Sequence, residues 1–112
     1  MAITYLPITP GMNQSFTCTL PVDDKNITLD FTLTYNEPAG YWFMSIRKND
    51  TGVLLIDALP LLNGEYPSAN LLKQYSYLAI GSAVIISKSG KDSTPTFDSL
   101  GREHFVAWGD TP

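Results

Sequence analysis

From Ile27 to Tyr35 the chain reads Ile-Thr-Leu-Asp-Phe-Thr-Leu-Thr-Tyr, every second residue large and apolar and each one between them Thr or Asp. Successive side chains of a strand point to opposite faces. This period of two therefore puts Ile27, Leu29, Phe31, Leu33 and Tyr35 on one face and the polar residues on the other. The segment is predicted to be a half-buried strand. Just upstream, Phe16, Cys18 and Leu20 alternate with Ser15, Thr17 and Thr19, and residues 21–26 are rich in turn formers. Residues 14–35 thus read as a β-hairpin.

The rest of the chain continues in short strands punctuated by turns. Residues 36–40 form a second turn, and in 41–47 Trp42, Met44 and Ile46 share an apolar face, with Tyr41 and Phe43 on the other. After a turn at 48–52, the mostly apolar run 53–59 is predicted to be a strand by its shortness and β-branched content, limited by Pro60. Residues 60–67 are irregular. Residues 68–75 are the one predicted helical turn, with Ser68 or Asn70 as its cap and Leu71, Leu72 and Tyr75 facing inward. Residues 77–80 and 83–87 read as short strands around a glycine bend at Gly81, 88–99 as a polar loop, and 104–108 as a last strand. The fold class is mainly β: an antiparallel β-sandwich or partly closed barrel with one short helical turn. With 112 residues, 44% hydrophobic and 12% aromatic, the chain suits one domain over residues 1–112.

Charge narrows the function classes. Seven Lys and Arg against 11 Asp and Glu give a net charge of −4 and a pI near 4.6, with cations scattered, which disfavours a polyphosphate partner. No apolar run approaches the roughly 20 residues that span a bilayer, so no membrane insertion is expected. The first residues lack a basic opening, and Pro7 and Pro10 interrupt any helical signal segment, so synthesis in a cytoplasm is expected. Cys18 is the sole cysteine and can form no intrachain disulfide.

Candidate chemistry is sparse. A Cys18 nucleophile would need His104, the only histidine, as its base, whereas the inward place of Cys18 in an alternating strand suits a small core side chain. Asp57 and Asp98 could serve as a carboxylate pair, but nothing in the sequence fixes their separation, and turn or edge roles explain them. One His and one Cys are a poor zinc set. Asp23, Asp24 and Asp92 lack a calcium-loop pattern, and Gly40 and Gly81 stand outside any phosphate loop. The triplets at Asn13, Asn26 and Asn49 match the glycosylation signal and read as turn and strand residues. No enzyme activity, cofactor or metal is expected.

What remains is an aromatic excess towards the C-terminus: Tyr75, Tyr77, Phe97, Phe105 and Trp108. Some can fill the core, and the rest suit anchors in a protein interface. With Asp98 and His104 they make the candidate interface. An alternative is a small ligand- or carbohydrate-binding β-domain stacking sugars on Trp42, Tyr41 and Trp108.

The order of motifs resembles the baseplate plug family of contractile-tailed phages. Residues 6–16, Leu-Pro-Ile-Thr-Pro-Gly-Met-Asn-Gln-Ser-Phe, are similar to the family's Pro-Leu-Thr-Pro-Gly-Asn-Gln opening, with Met12 inserted. Tyr35-Asn36, Gly40-Tyr41-Trp42, Gly52-Val53-Leu54-Leu55 and Leu59-Pro60-Leu61 follow in order. Residues 70–81 resemble its Asp-Leu-Leu-x-Gln-Tyr-x-Tyr-Leu-x-x-Gly segment, and 95–101 its Pro-Thr-Tyr-Asp-Asn-Leu-Gly motif, with Phe97 for the tyrosine and Ser99 for the asparagine. The resemblance implies a non-enzymatic virion protein at the centre of the tail baseplate, near the hub and the distal end of the tail tube. Its implied partners are hub, tail-tube and tape-measure proteins, with further copies of the chain.

Overall fold

The computed structural model describes residues 3–61, 71–88 and 95–111. Seven strands occur among them: β1 (Thr4–Tyr5), β2 (Gln14–Val22), β3 (Lys25–Asn36), β4 (Tyr41–Lys48), β5 (Leu54–Pro60), β6 (Ser82–Ser87) and β7 (His104–Gly109). They form two antiparallel sheets, a four-stranded one in the order β2-β3-β4-β5 and a three-stranded one in the order β1-β7-β6. Among the described residues the two sheets are separate and close into no barrel, so of the expected sandwich or partly closed barrel the arrangement is sandwich-like.

The alternation read at 27–35 is the burial pattern of β3. Leu29, Phe31 and Leu33 are fully enclosed, and Ile27 and Tyr35 are half-buried at its ends. From the other sheet, Trp108 meets Phe31 edge to face at 5.4 Å, and Phe31 also stacks on Phe16 at 5.3 Å. The aromatic contact between sheets adds to the ~1.5–3 kcal/mol gained by burying each large apolar side chain. Met44, Ile46, Ile56, Leu59, Leu72, Ile85, Leu100 and Val106 complete one core between the layers.

The β2–β3 connection is tighter than the six-residue turn expected. Val22 pairs with Lys25, and only Asp23 and Asp24 lie between them, with φ of 52° and 65°. Two left-handed residues make the type I′ hairpin turn, whose twist matches that of the strands. Pro21 is accommodated inside β2, because at this register its nitrogen faces the sheet's outer edge and no ladder bond is lost. Beyond β7, Asp23 and the C-terminal segment clasp each other: Asp23 N–H donates to Asp110 Oδ1 and Thr111 N–H to Asp23 Oδ1, both at 3.0 Å.

Other boundaries also shift. The expected strand at 77–80 is instead the end of a 3-10 helix, Lys73–Leu78, followed by Ala79 at φ 53° and Gly81 at φ 110°. Left-handed residues on alternate positions break the extended conformation a strand needs. A Cβ at Gly81 would lie 2.5 Å from the Gly109 carbonyl oxygen, so glycine permits β7 to pass closely there. The expected caps Ser68 and Asn70 lie outside the described residues, while Leu72 is fully buried and Leu71 and Tyr75 pack against the core, as expected. β1 is an addition to the sequence reading. Two residues are too few for a visible period, and the strand exists because Thr4 and Tyr5 pair with Trp108 and Ala107.

Candidate interaction surface

The outer faces of the two sheets differ in chemistry. On the four-stranded sheet, cross-strand partners are hydroxyl and carboxyl groups: Ser15 Oγ to Thr32 Oγ1 at 3.2 Å, Thr17 Oγ1 donating to Asp30 Oδ1 at 2.6 Å, and Thr19 Oγ1 to Thr28 Oγ1 at 2.8 Å. These groups satisfy one another and make the β2–β3 half of this face polar, while on β4 the half-buried Tyr41 and Phe43 share the outer parity with ring centroids 5.0 Å apart. Asp30 also accepts from the Asn49 amide at 3.0 Å. Hydrogen bonds from Thr17 and then Asn49 hold its carboxyl below the ordinary carboxylate value.

On the three-stranded sheet the register sets Tyr5, Ala107 and Val84 in one row and Phe105 and Ile86 in the next, with Ile3 two residues before Tyr5. Paired residues share a face, so this row faces outward while Trp108, Val106, Ile85 and Ala83 face the core. Ile3 and Tyr5 are more than half exposed, and Tyr5 meets Phe105 edge to face at 6.2 Å. Tyr5, Ile86, Phe105 and Lys88 line a groove of ≈ 410 Å³. An apolar outer sheet face of this kind suits protein contact.

A second apolar group caps one end of the sandwich. Phe97 stacks on Trp42 with centroids 5.7 Å apart and 6° between planes, and meets Tyr35 at 5.2 Å, while remaining 38% exposed. The turn that carries Phe97 is fixed from below. Trp42 Nε1 donates to the Thr96 carbonyl at 3.0 Å, and Thr96 N–H donates to Ser99 Oγ at 2.7 Å, which lies 2.9 Å from His104 Nδ1. This turn also touches the 6–16 opening. A Cβ on Gly101 would lie 2.7 Å from the Ile8 carbonyl oxygen, and Gly11 approaches Asp98. Opening and closing motifs, distant in sequence, thus form one surface with half-exposed Met12 beside it in the chain.

The seven expected interface residues divide accordingly. Tyr77, Phe97 and Asp98 are exposed, Phe105 is half-exposed on the apolar sheet face, and Tyr75, within the 3-10 helix, is half-buried against the core. Trp108 and His104 require correction. Both side chains face the core, 1% and 4% exposed, and Trp108 Nε1 donates to the Ile80 carbonyl at 2.8 Å. β7 alternates, and the inward parity falls on 104, 106 and 108, leaving only Phe105 of its aromatics outward. The sequence reading missed Ile3, Tyr5 and Ile86, whose exposure depends on a non-local pairing.

Other chemistry finds less support. Cys18 is half-buried on β2, where desolvation raises its thiol pKa, and it pairs with Leu29, whereas His104 is in the other sheet against Ser99. Asp57 is occupied at the β5 edge by the Ser45 hydroxyl at 3.2 Å. Both tryptophans assigned to sugar stacking are buried. The ≈ 520 Å³ cleft at the other end of the sandwich, between Lys25, Lys48, Asp50, Leu55 and Ile80, has no aromatic residue in its lining among the described residues. No helix among the described residues is long and apolar enough to cross a membrane.

Compared with known proteins, residues 3–111 match the model of the family described as cyanophage baseplate Pam3 plug gp18. No curated protein matches the chain.

Proposed function

From the premise that this chain belongs to the cyanophage baseplate plug family, we propose that it is a non-enzymatic plug at the centre of a phage tail baseplate, seated against the hub and the distal end of the tail tube. The observation that carries this reading is the match itself, which runs through both sheets and both turn-rich motifs. Family membership makes the protein a structural part of a phage baseplate in contact with other tail proteins. The finer placement draws support from the surface. A plug must hold by contact and release when the tail is triggered, and an apolar sheet face plus a stacked aromatic cap offer contact without covalent attachment. Hub, tail-tube and tape-measure proteins are the proposed partners, joined after synthesis in the host cytoplasm.

The test is mass spectrometry of purified tails followed by reconstruction of the tail tip at side-chain resolution. The chain is expected in tails, with density on the tail axis at the hub. Its absence from tails would sink the structural reading, and density at the baseplate periphery would overturn the axial placement.

A further inference from the structure

The four-stranded sheet ends in two edges of opposite character. β5 is protected. Its pairing with β4 shifts register between Met44 and Ile46 and again between Ile46 and Arg47, Ala58 is left-handed, and Asp57 and Pro60 sit within the strand. These are the devices by which sheet edges resist pairing with another chain. β2 has almost none of them. It is nine residues long, pairs with β3 without a bulge, and carries no charged residue from Gln14 to Val22.

The direction of its backbone groups follows from the hairpin. In a two-residue turn the flanking pair, here Val22 and Lys25, exchanges hydrogen bonds, so Leu20, Cys18, Phe16 and Gln14 also bond to β3. The same parity is seen on the far side of β3, where the Thr28 carbonyl accepts from Asn49 N–H towards β4. The N–H and C=O groups of Ser15, Thr17 and Thr19 therefore point out of the sheet, and no backbone partner meets them among the described residues. On the inner face of this edge, Phe16 and Cys18 remain half-buried although they pack against the core.

We propose that β2 pairs antiparallel with β2 of a second copy of this chain across a two-fold axis at Thr17, joining the two four-stranded sheets into one. The strand is self-complementary in this register. Thr17 exchanges backbone bonds with its symmetry mate, and Ser15 with Thr19 of the other copy. Hydroxyls then face hydroxyls, as they already do between β2 and β3. No like charges meet at the seam. Phe16 of each copy lies opposite Cys18 of the other, covering the inner side chains that the single chain leaves half-open. Centring the axis on Cys18 would set Ser15 against Pro21, which has no N–H to give. The seam stands on the strand's own chemistry, so its failure leaves the plug reading untouched.

Sedimentation equilibrium of the purified chain over a dilution series tests this. A dimer that dissociates on dilution is expected. Thr17→Pro removes an N–H used only at the seam and is expected to give a folded monomer, since edge strands accept proline where the nitrogen faces outward. Phe16→Cys would set a thiol opposite native Cys18 at about 4.5 Å between Cα atoms in a non-hydrogen-bonded pair, within disulfide reach. Mild oxidation is expected to trap a covalent dimer of this variant and not of the natural chain. Should Thr17→Pro fail to fold, hydrogen exchange on the natural chain replaces it, with concentration-dependent protection expected at the Ser15, Thr17 and Thr19 amides. A monomer at every concentration overturns the proposal, as do a dimer untouched by Thr17→Pro, a Cys18–Cys18 cross-link, or an edge protected only when a foreign strand is added.

Discussion

At the scale of single residues, Gly101 and Asp30 carry consequences that can be measured. Gly101 has φ of 93°, and its missing Cβ leaves room for the Ile8 carbonyl, a backbone atom that cannot swing away. Gly101→Ala combines strain with a clash, and about 2–3 kcal/mol of stability should be lost in denaturant titration. Asp30 titrates below its ordinary value of 3.8, chiefly through the Thr17 hydroxyl. A lowered folded pKa means that its contribution to stability is present above pH 3.8 and disappears as pH falls through the lower folded value. Thr17→Val should move the Asp30 carboxyl back up in an NMR titration. Neither role is visible along the sequence, where Gly101 ends a motif and Asp30 is one polar residue in an alternation. Each arises from a neighbour distant in the chain.

Elements were legible to the extent that their logic is local. β2, β3 and β4 declare themselves by period two, and the structure buries the side of each that the period selects. Where tertiary contact decides, the pattern misleads: Tyr77-Leu78-Ala79-Ile80 has strand composition, yet Ala79 and Gly81 adopt left-handed angles as the chain turns under Trp108. The hairpin turn lies between these cases, since Asp-Asp names a turn without fixing its length. Asp24 is left-handed and forms none of the side-chain bonds that Asp23 makes with Thr111. Asp24→Gly should therefore relieve strain beyond the added entropy of the unfolded chain, raising stability by about 0.5 kcal/mol and the thermal midpoint with it. At the β5 bulge, the Ser45 hydroxyl accepts from Ala58 N–H and donates to Asp57, both at 3.2 Å. Ser45→Ala should cost about 1 kcal/mol in denaturant titration and leave the edge less well blocked.

For the molecule as a whole, the aromatic residues perform two kinds of work that composition cannot separate. The parity of β7 assigns Trp108 to the core and Phe105 to the outer face, three positions apart in the strand and opposite in consequence. Trp108→Ala opens a cavity against Phe31 and orphans the Ile80 carbonyl, and a loss of about 3–5 kcal/mol is expected, a large share of what holds a domain of this size together. Tyr5→Ser and Tyr77→Ser alter exposed side chains and should shift stability by no more than about 0.5 kcal/mol. If the apolar face of the three-stranded sheet is the contact that seats the protein in a baseplate, stability and assembly part company. Tyr5→Ser should purify as a folded chain, with unchanged thermal unfolding, yet be depleted from assembled tails, whereas Trp108→Ala should be lost from both. Equal incorporation of Tyr5→Ser and the natural chain, measured by mass spectrometry of tails from complemented phage, would move the seat from this face to the Phe97 cap. There Phe97→Ala removes the stacked ring while leaving the Trp42 hydrogen bond to Thr96 in place to hold the turn.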